Sequence, residues 1–258
     1  MYTVNPAIQD VEYRTNYGAS KYHSVQTNLD KRYGHGLTGH LAWTWSHNMS
    51  NSVGPNSGSP PQNSYCTACE WASVAEDRRH MLVINHVYEL PFGSGRQFLS
   101  TGLLSKIVGD WNLSGIWTFY TGLHFSPSLA TSVSGSQATP GATAERPNVN
   151  GNPNLPSDQQ SITHWFNVAD FSIPQPYTFG NSGAFVLVGP HLFTADLGIH
   201  REFAIRENMK LTLRWEMFNS MNHPNFQNPG ASIGSSSAGV VSATYAARDQ
   251  QVALKLNF

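Results

Sequence analysis

Apolar residues recur at every second position in several separated stretches of this chain, and the clearest of them is the last. Val252, Leu254, Leu256 and Phe258 are apolar, while Gln251, Ala253, Lys255 and Asn257 fill the gaps. A period of two is the signature of a half-buried strand. An aromatic residue in the last position suits a membrane–water interface, where rings sit at the edge of the hydrocarbon. An ordinary edge strand of a soluble sheet is the alternative that these residues alone leave open.

The same period appears upstream. His23, Val25, Thr27, Leu29 and Lys31 alternate with Tyr22, Ser24, Gln26, Asn28 and Asp30. A tight turn is expected at Tyr33-Gly34-His35-Gly36, with glycine supplying positive φ. Leu41, Trp43 and Trp45 then alternate with His40, Ala42, Thr44 and Ser46, giving one greasy aromatic face and one small polar face. Between Arg79 and Leu90 both faces are apolar: Leu82, Ile84 and Tyr88 against Met81, Val83 and Val87. Trp111, Leu113, Trp117 and Phe119 mark another strand, and Phe193, Ala195, Leu197 and Ile199 the next. Leu211, Leu213, Trp215 and Met217 alternate with Thr212, Arg214 and Glu216. With a weaker segment before Tyr13, this makes about eight strands, each near the roughly 9 to 11 residues a tilted membrane strand needs.

Connections alternate in length along the chain. Turns are short near residues 34 and 207 and moderate between Pro91 and Asp110, whereas irregular segments rich in Ser, Gly, Asn, Thr and Pro occupy 48 to 77, 122 to 189 and 222 to 247. Membrane barrels have short inner turns and long outer loops. Counted back from an inner C-terminus, every long loop falls outside. A soluble sandwich has no need of that phase, and a structureless segment as long as 122 to 189 is foreign to a compact soluble domain.

Composition points the same way. Charged residues are only 12% of the chain, against about 25% in ordinary soluble domains. The net charge of -1 and the absence of a basic cluster offer no footprint for nucleic acid. No apolar run is long enough for a transmembrane helix, but barrel strands are half polar and leave mean hydropathy, here -0.33, unremarkable. The segment Met1-Tyr2-Thr3-Val4-Asn5-Pro6 lacks the pattern of a secretion signal. An exported barrel needs one, so further N-terminal sequence is expected.

Within a barrel the side chains divide. Leu211, Leu213, Trp215 and Met217, together with Leu41, Trp43 and Trp45, are expected to face lipid. Arg214 and Glu216 are expected to face the lumen, because an Arg on the lipid side at the midplane costs about 2 to 4 kcal/mol. Cys66 and Cys69 lie in a loop with no second ligand pair nearby, which favours a disulfide or free thiols over a metal site. Asp77-Arg78-Arg79-His80 holds acid, base and cations, yet at a loop-to-strand junction it reads as an anchor made of charge-assisted bonds. Asn222-His223-Pro224-Asn225-Phe226 reads as a turn. No helical His-Glu-x-x-His pair, Gly-x-Ser-x-Gly elbow or phosphate loop is present, so no catalytic residue, metal or cofactor is assigned.

Six blocks, in this order and spacing, carry a resemblance that spans nearly the whole chain. They are Tyr22-His23-Ser24-Val25-Gln26; Trp43-Thr44-Trp45-Ser46-His47-Asn48; Asp77-Arg78-Arg79-His80 with Tyr88-Glu89-Leu90-Pro91-Phe92-Gly93; Trp111-Asn112-Leu113-Ser114-Gly115; Arg146-Pro147-Asn148; and Phe218-Asn219 through Phe226. Together they resemble the C-terminal part of the barrel in Oar-like TonB-dependent outer-membrane receptors, the group with a carboxypeptidase-regulatory-like domain that abounds in acidobacterial proteomes.

The resemblance implies a barrel of about 22 strands, of which this chain holds the last third or so. A plug, an energy-coupling motif and the regulatory-like domain would lie in N-terminal sequence outside this chain. It implies partners too: outer-membrane lipid, the barrel assembly machinery, and the inner-membrane TonB complex only through the N-terminal part. It also implies a solute bound by the outer loops. The alternating end at Val252, Leu254, Leu256 and Phe258 resembles the signal read by the assembly machinery.

The reading is therefore an all-β, antiparallel transmembrane β-barrel segment of the outer membrane with long extracellular loops, acting in transport and not as an enzyme. A secreted or surface β-rich adhesin or binding module is the runner-up, and a β-sandwich or propeller hydrolase the third.

Overall fold

Seven long strands follow one another as an antiparallel meander: β1 (Ser20–Gly34), β2 (Leu37–Ser50), β3 (His80–Glu89), β4 (Trp111–Tyr120), β5 (Leu192–Arg206), β6 (Met209–Phe218) and β7 (Asp249–Asn257). The computed structural model describes residues 16–52, 61–63, 65–93, 95–133, 145–206 and 208–258. The strand expected before Tyr13 lies outside them. Each strand pairs with its neighbours in sequence, in a register that runs unbroken through β2 to β5. An extra two-residue strand, Ala72–Ser73, pairs with the end of β2.

The first turn is tighter than the sequence suggests. Only His35 and Gly36 separate β1 from β2, and both have positive φ, at 55° and 79°. A two-residue hairpin of type I′ needs that sign at both positions. A histidine therefore sits where a second glycine was expected, and Gly34 ends the strand instead.

All three long connections lie at one end of the sheet, and the hairpin turns at the other. Between Glu89 and Trp111 the short-end connection carries a helix, α1 (Leu103–Val108), which hydrophobic periodicity did not disclose. At six residues it is shorter than the window in which a helical period can be read.

The core does not sit on the sheet. Phe166, Phe171, Leu187 and Ile233 form a buried cluster, joined by Phe125, Leu129, Val149 and Trp165, and all of these belong to the second and third long loops. The loops that read as irregular thus have a small interior of their own, framed by two-residue ladders. Residues Leu187–Val188 pair with His124–Phe125, Ser232–Ile233 with Ser128–Leu129, and Asn148–Val149 with Phe171–Ser172. Within the long strands Ala195 is the one buried apolar residue among those described.

Among the described residues nothing covers either sheet edge. Among the described residues β1 pairs only with β2 and β7 only with β6, and the sheet does not close on itself. Every residue of β7 is exposed, and all of β1 but its last.

Candidate functional site

Strand register sorts the side chains into two faces. One row across the sheet reads Tyr88, Leu113, Ile199, Trp215, Val252. One residue further along it reads Glu89, Asn112, His200, Arg214, Ala253. Successive side chains of a strand point to opposite faces, so the first row marks an apolar face and the second a polar one. The register also resolves the strand whose two sides looked alike: Leu82 and Ile84 of β3 align with Trp43 and Leu41 of β2, on the apolar face.

The apolar face gathers Leu41, Trp43, Trp45, Leu211, Leu213, Trp215 and Met217, with Val252, Leu254 and Leu256 beside them. Trp215 is exposed, Leu211, Leu213 and Met217 are half-buried between neighbouring strands, and Val252 and Leu254 are 70% and 66% exposed. No long strand outside the sheet exists among the described residues to cover them. Full burial of such a side chain contributes about 1.5 to 3 kcal/mol, most of which Val252 and Leu254 would forgo in water.

A concavity of about 760 Å³ spans six of the long strands, from Asp30 on β1 to Phe218 on β6, and its lining sets polar Asp30, His40 and Asn85 beside apolar Val87, Ile116 and Met217. Several groups of the polar face are engaged with one another. His40 Nδ1 lies 2.7 Å from Asp30 Oδ1, Arg214 donates to Glu216 at 2.5 Å, and Gln251 Nε2 donates to the other Glu216 oxygen at 2.5 Å. Such a wall offers hydrogen bonds and mixed charge to water or a polar solute. Among the described residues no group of three His, Cys, Asp or Glu side chains is placed to hold a metal.

Above this wall the long loops lock together. Arg146, buried in the second loop, donates through both terminal nitrogens to the two Glu70 carboxylate oxygens at 2.7 Å each, and through Nε to the Ser182 carbonyl at 2.9 Å. Gln62 completes the junction: its Oε1 accepts from Arg146 N at 2.9 Å and its Nε2 donates to the Gly180 carbonyl at 3.2 Å. Glu70 ends a 3-10 turn, Thr67–Glu70, and the Cys66–Cys69 disulfide bridges that turn. The third loop joins through the parallel ladder at Ser128–Leu129 and through Val241 N to the Ile162 carbonyl at 2.7 Å.

Where the loops meet the strands, Asp77 is fully buried. It accepts from Asn48 N at 2.9 Å, lies 3.2 Å from His47 Nδ1 and 3.5 Å from Arg79, and faces His124 Nε2 at 3.7 Å. Arg78 donates to the Thr121 carbonyl at 2.7 Å and lies over the Tyr120 ring. The acid and cations at 77–80 thus fasten loop to strand. His124 donates from Nδ1 to the Phe185 carbonyl at 3.0 Å, and burial holds its pKa below the ordinary histidine value despite Asp77. At the far side Asn225 acts as a surrogate strand for β5, accepting from Phe193 N and donating to Phe193 O at 2.8 Å each.

Glu70 and Gln62 carried no mark in the sequence reading, and Arg146 entered it only through the family resemblance. A partial signal existed: in loops so poor in charge, a lone Arg or Glu costs much to bury unless it has a partner.

A family model described as "Outer membrane beta barrel domain" matches residues 1–251. No curated protein matches the chain.

Proposed function

Because the chain belongs to the outer membrane beta barrel domain family, we propose that it supplies wall, lumen lining and outer loops to a TonB-dependent receptor of the Oar-like group. It is an antiparallel barrel segment of the outer membrane. On this reading the apolar face meets acyl chains and the polar face, with Arg214 and Glu216, meets a watery lumen. The observation that carries the assignment is the flip of the whole cross-sheet row, from Tyr88–Val252 to Glu89–Ala253, on moving one residue. The six sequence blocks support the narrower receptor class.

The interlocked outer loops would capture a solute, and energy delivered from the inner membrane to an N-terminal plug would admit it. This chain takes part in no covalent chemistry on that reading and does not transport by itself. Val252, Leu254, Leu256 and Phe258 would present the edge recognised by the barrel assembly machinery.

Two measurements test it. Trp215→Arg should destabilise the vesicle-inserted barrel by about 2 to 4 kcal/mol, while Ala253→Arg should change little; equal effects would overturn the division of faces. In cells, removing the inner-membrane energy-coupling complex should abolish solute uptake by the full-length protein. Uptake that persists would exclude the receptor class and leave the barrel intact.

A further inference from the structure

The short-end connection between β3 and β4 is unlike its counterparts. The other two are hairpin turns of about two residues, whereas this one spans residues 90–110 and is folded. Phe98 N donates to the Pro91 carbonyl at 2.9 Å, Gly93 N to Phe98 at 3.2 Å, and Asp110 N to Phe92 at 3.1 Å. At its base two backbones cross so closely that a Cβ on Gly109 would lie 2.4 Å from Gly93 Cα. Only glycine at both positions permits that approach.

This scaffold hangs α1 (Leu103–Val108) on the apolar face of the sheet. Arg201 of β5 donates to the Ile107 carbonyl at 2.6 Å, and Trp111 Nε1 donates to the same oxygen at 3.5 Å. Arg201 shares its row with Trp111, Leu213 and Leu254, and its guanidinium lies over the Trp111 and Phe203 rings, at 6.0 and 4.5 Å from their centroids. Beyond this attachment the connection presents apolar groups outward. Ile107 is 59% exposed and Phe98 50%, with Val108 and Leu99 also exposed, and Leu99 adopts a positive φ of 50°. A bulky residue in that conformation is strained.

We propose that the connection from Phe92 to Gly109 is a monotopic foot, with α1 lying in the headgroup–acyl boundary of the phospholipid bilayer at the end opposite the long loops. The inference rests on the assignment of the apolar face to lipid. Continuity carries it: α1 is bound to that face, at the end of its apolar rows, and adds Ile107 and Val108 to the same surface. The helix is too short to cross a membrane and lies where an interfacial helix would. Arg201 is only 5% exposed, and its guanidinium, held between the Ile107 carbonyl and two aromatic rings, ties the helix to the sheet. The foot would fix the depth and tilt of β4 and β5, a task that two-residue turns cannot perform.

Depth-resolved quenching decides the matter. Single Ile107→Cys, Val108→Cys, Leu213→Cys and Ala253→Cys variants of the full-length protein would carry an environment-sensitive thiol dye, with the Cys66–Cys69 disulfide kept oxidised. The protein would be reconstituted in phosphatidylcholine vesicles bearing a quencher either near the headgroup or deep in the acyl chain. The expected result is blue-shifted emission at 107 and 108, quenched more by the shallow label than by the deep one. Position 213 should respond to the acyl labels and position 253 to neither. Water-like emission at 107 and 108, with 213 still quenched by lipid, would overturn the foot and spare the lipid-facing assignment. Loss of lipid quenching at 213 would overturn that assignment and the foot with it.

Discussion

Arg146 grips Glu70 through two parallel hydrogen bonds of 2.7 Å, across 76 positions of sequence and between two separate outer loops. Both side chains are buried, so neither can fall back on water. Removing one partner of such a pair costs about 3 to 5 kcal/mol, while replacing both with apolar groups of similar volume is often neutral. Arg146→Met and Glu70→Leu singly should therefore open the first and second loops to protease, and the double variant should recover much of the protection. Cleavage unchanged in the single variants would show that the junction does not hold the loops.

The disulfide should act on the same junction from its outer side. Cys66 and Cys69 enclose a very short loop, for which the chain-entropy model gives about 2 kcal/mol. Cys66→Ser with Cys69→Ser should raise hydrogen exchange around Gln62 and Arg146 and leave β5 to β7 protected. Thiol reagents should label the native protein only after reduction.

Acid should loosen the loop cap through His124. Its pKa in the folded state lies below the ordinary 6.5, chiefly because the ring is buried. The groups facing it are Asp77, which favours the imidazolium, and Arg79 and His47, which oppose it. Between the folded and unfolded values the unfolded chain binds more protons, so stability rises with pH there. The contribution is complete above the unfolded value and is lost as pH falls through that window. The hydrogen-exchange protection factor at Leu187, with the intrinsic pH dependence of exchange divided out, should fall between about pH 7.5 and 5. His124→Gln should flatten the dependence, and an unchanged slope in that variant would place the titration elsewhere.

Phe258 separates two roles by a simple deletion. Its side chain is 96% exposed and contributes almost nothing to packing within the chain. A purely structural part predicts that loss of Phe258 is silent. Recognition by the assembly machinery predicts that the full-length protein fails to reach the outer membrane, read as the amount of heat-modifiable barrel in membrane fractions. Normal insertion without Phe258 would sink the assembly role.

Much of the sheet is legible from the chain because a strand with one greasy side writes a period of two into its residues. β7 and β6 show this plainly, and β2 does so through Leu41, Trp43 and Trp45. β3 is harder, since Met81, Val83 and Val87 are nearly as apolar as Leu82, Ile84 and Tyr88. Only pairing with β2 and β4 decides its orientation. The interior of the loop cap escapes sequence reasoning altogether. Phe166, Phe171, Leu187 and Ile233 have no common spacing, and what unites them is the path of two loops in space. The Glu70–Arg146 contact is hidden for the same reason, because pairing over such a separation leaves no local pattern.

The bare margins of the sheet impose an order of events. Hydrocarbon offers nothing to bond the outward amides and carbonyls of β1 and β7, and each one left without a partner there costs several kcal/mol. The seven strands cannot slip into the bilayer as they stand and wait for neighbours. On the lipid-facing reading both margins must find partners before, or in the same motion as, the greasy side meets acyl chains, so that insertion and edge pairing become one event.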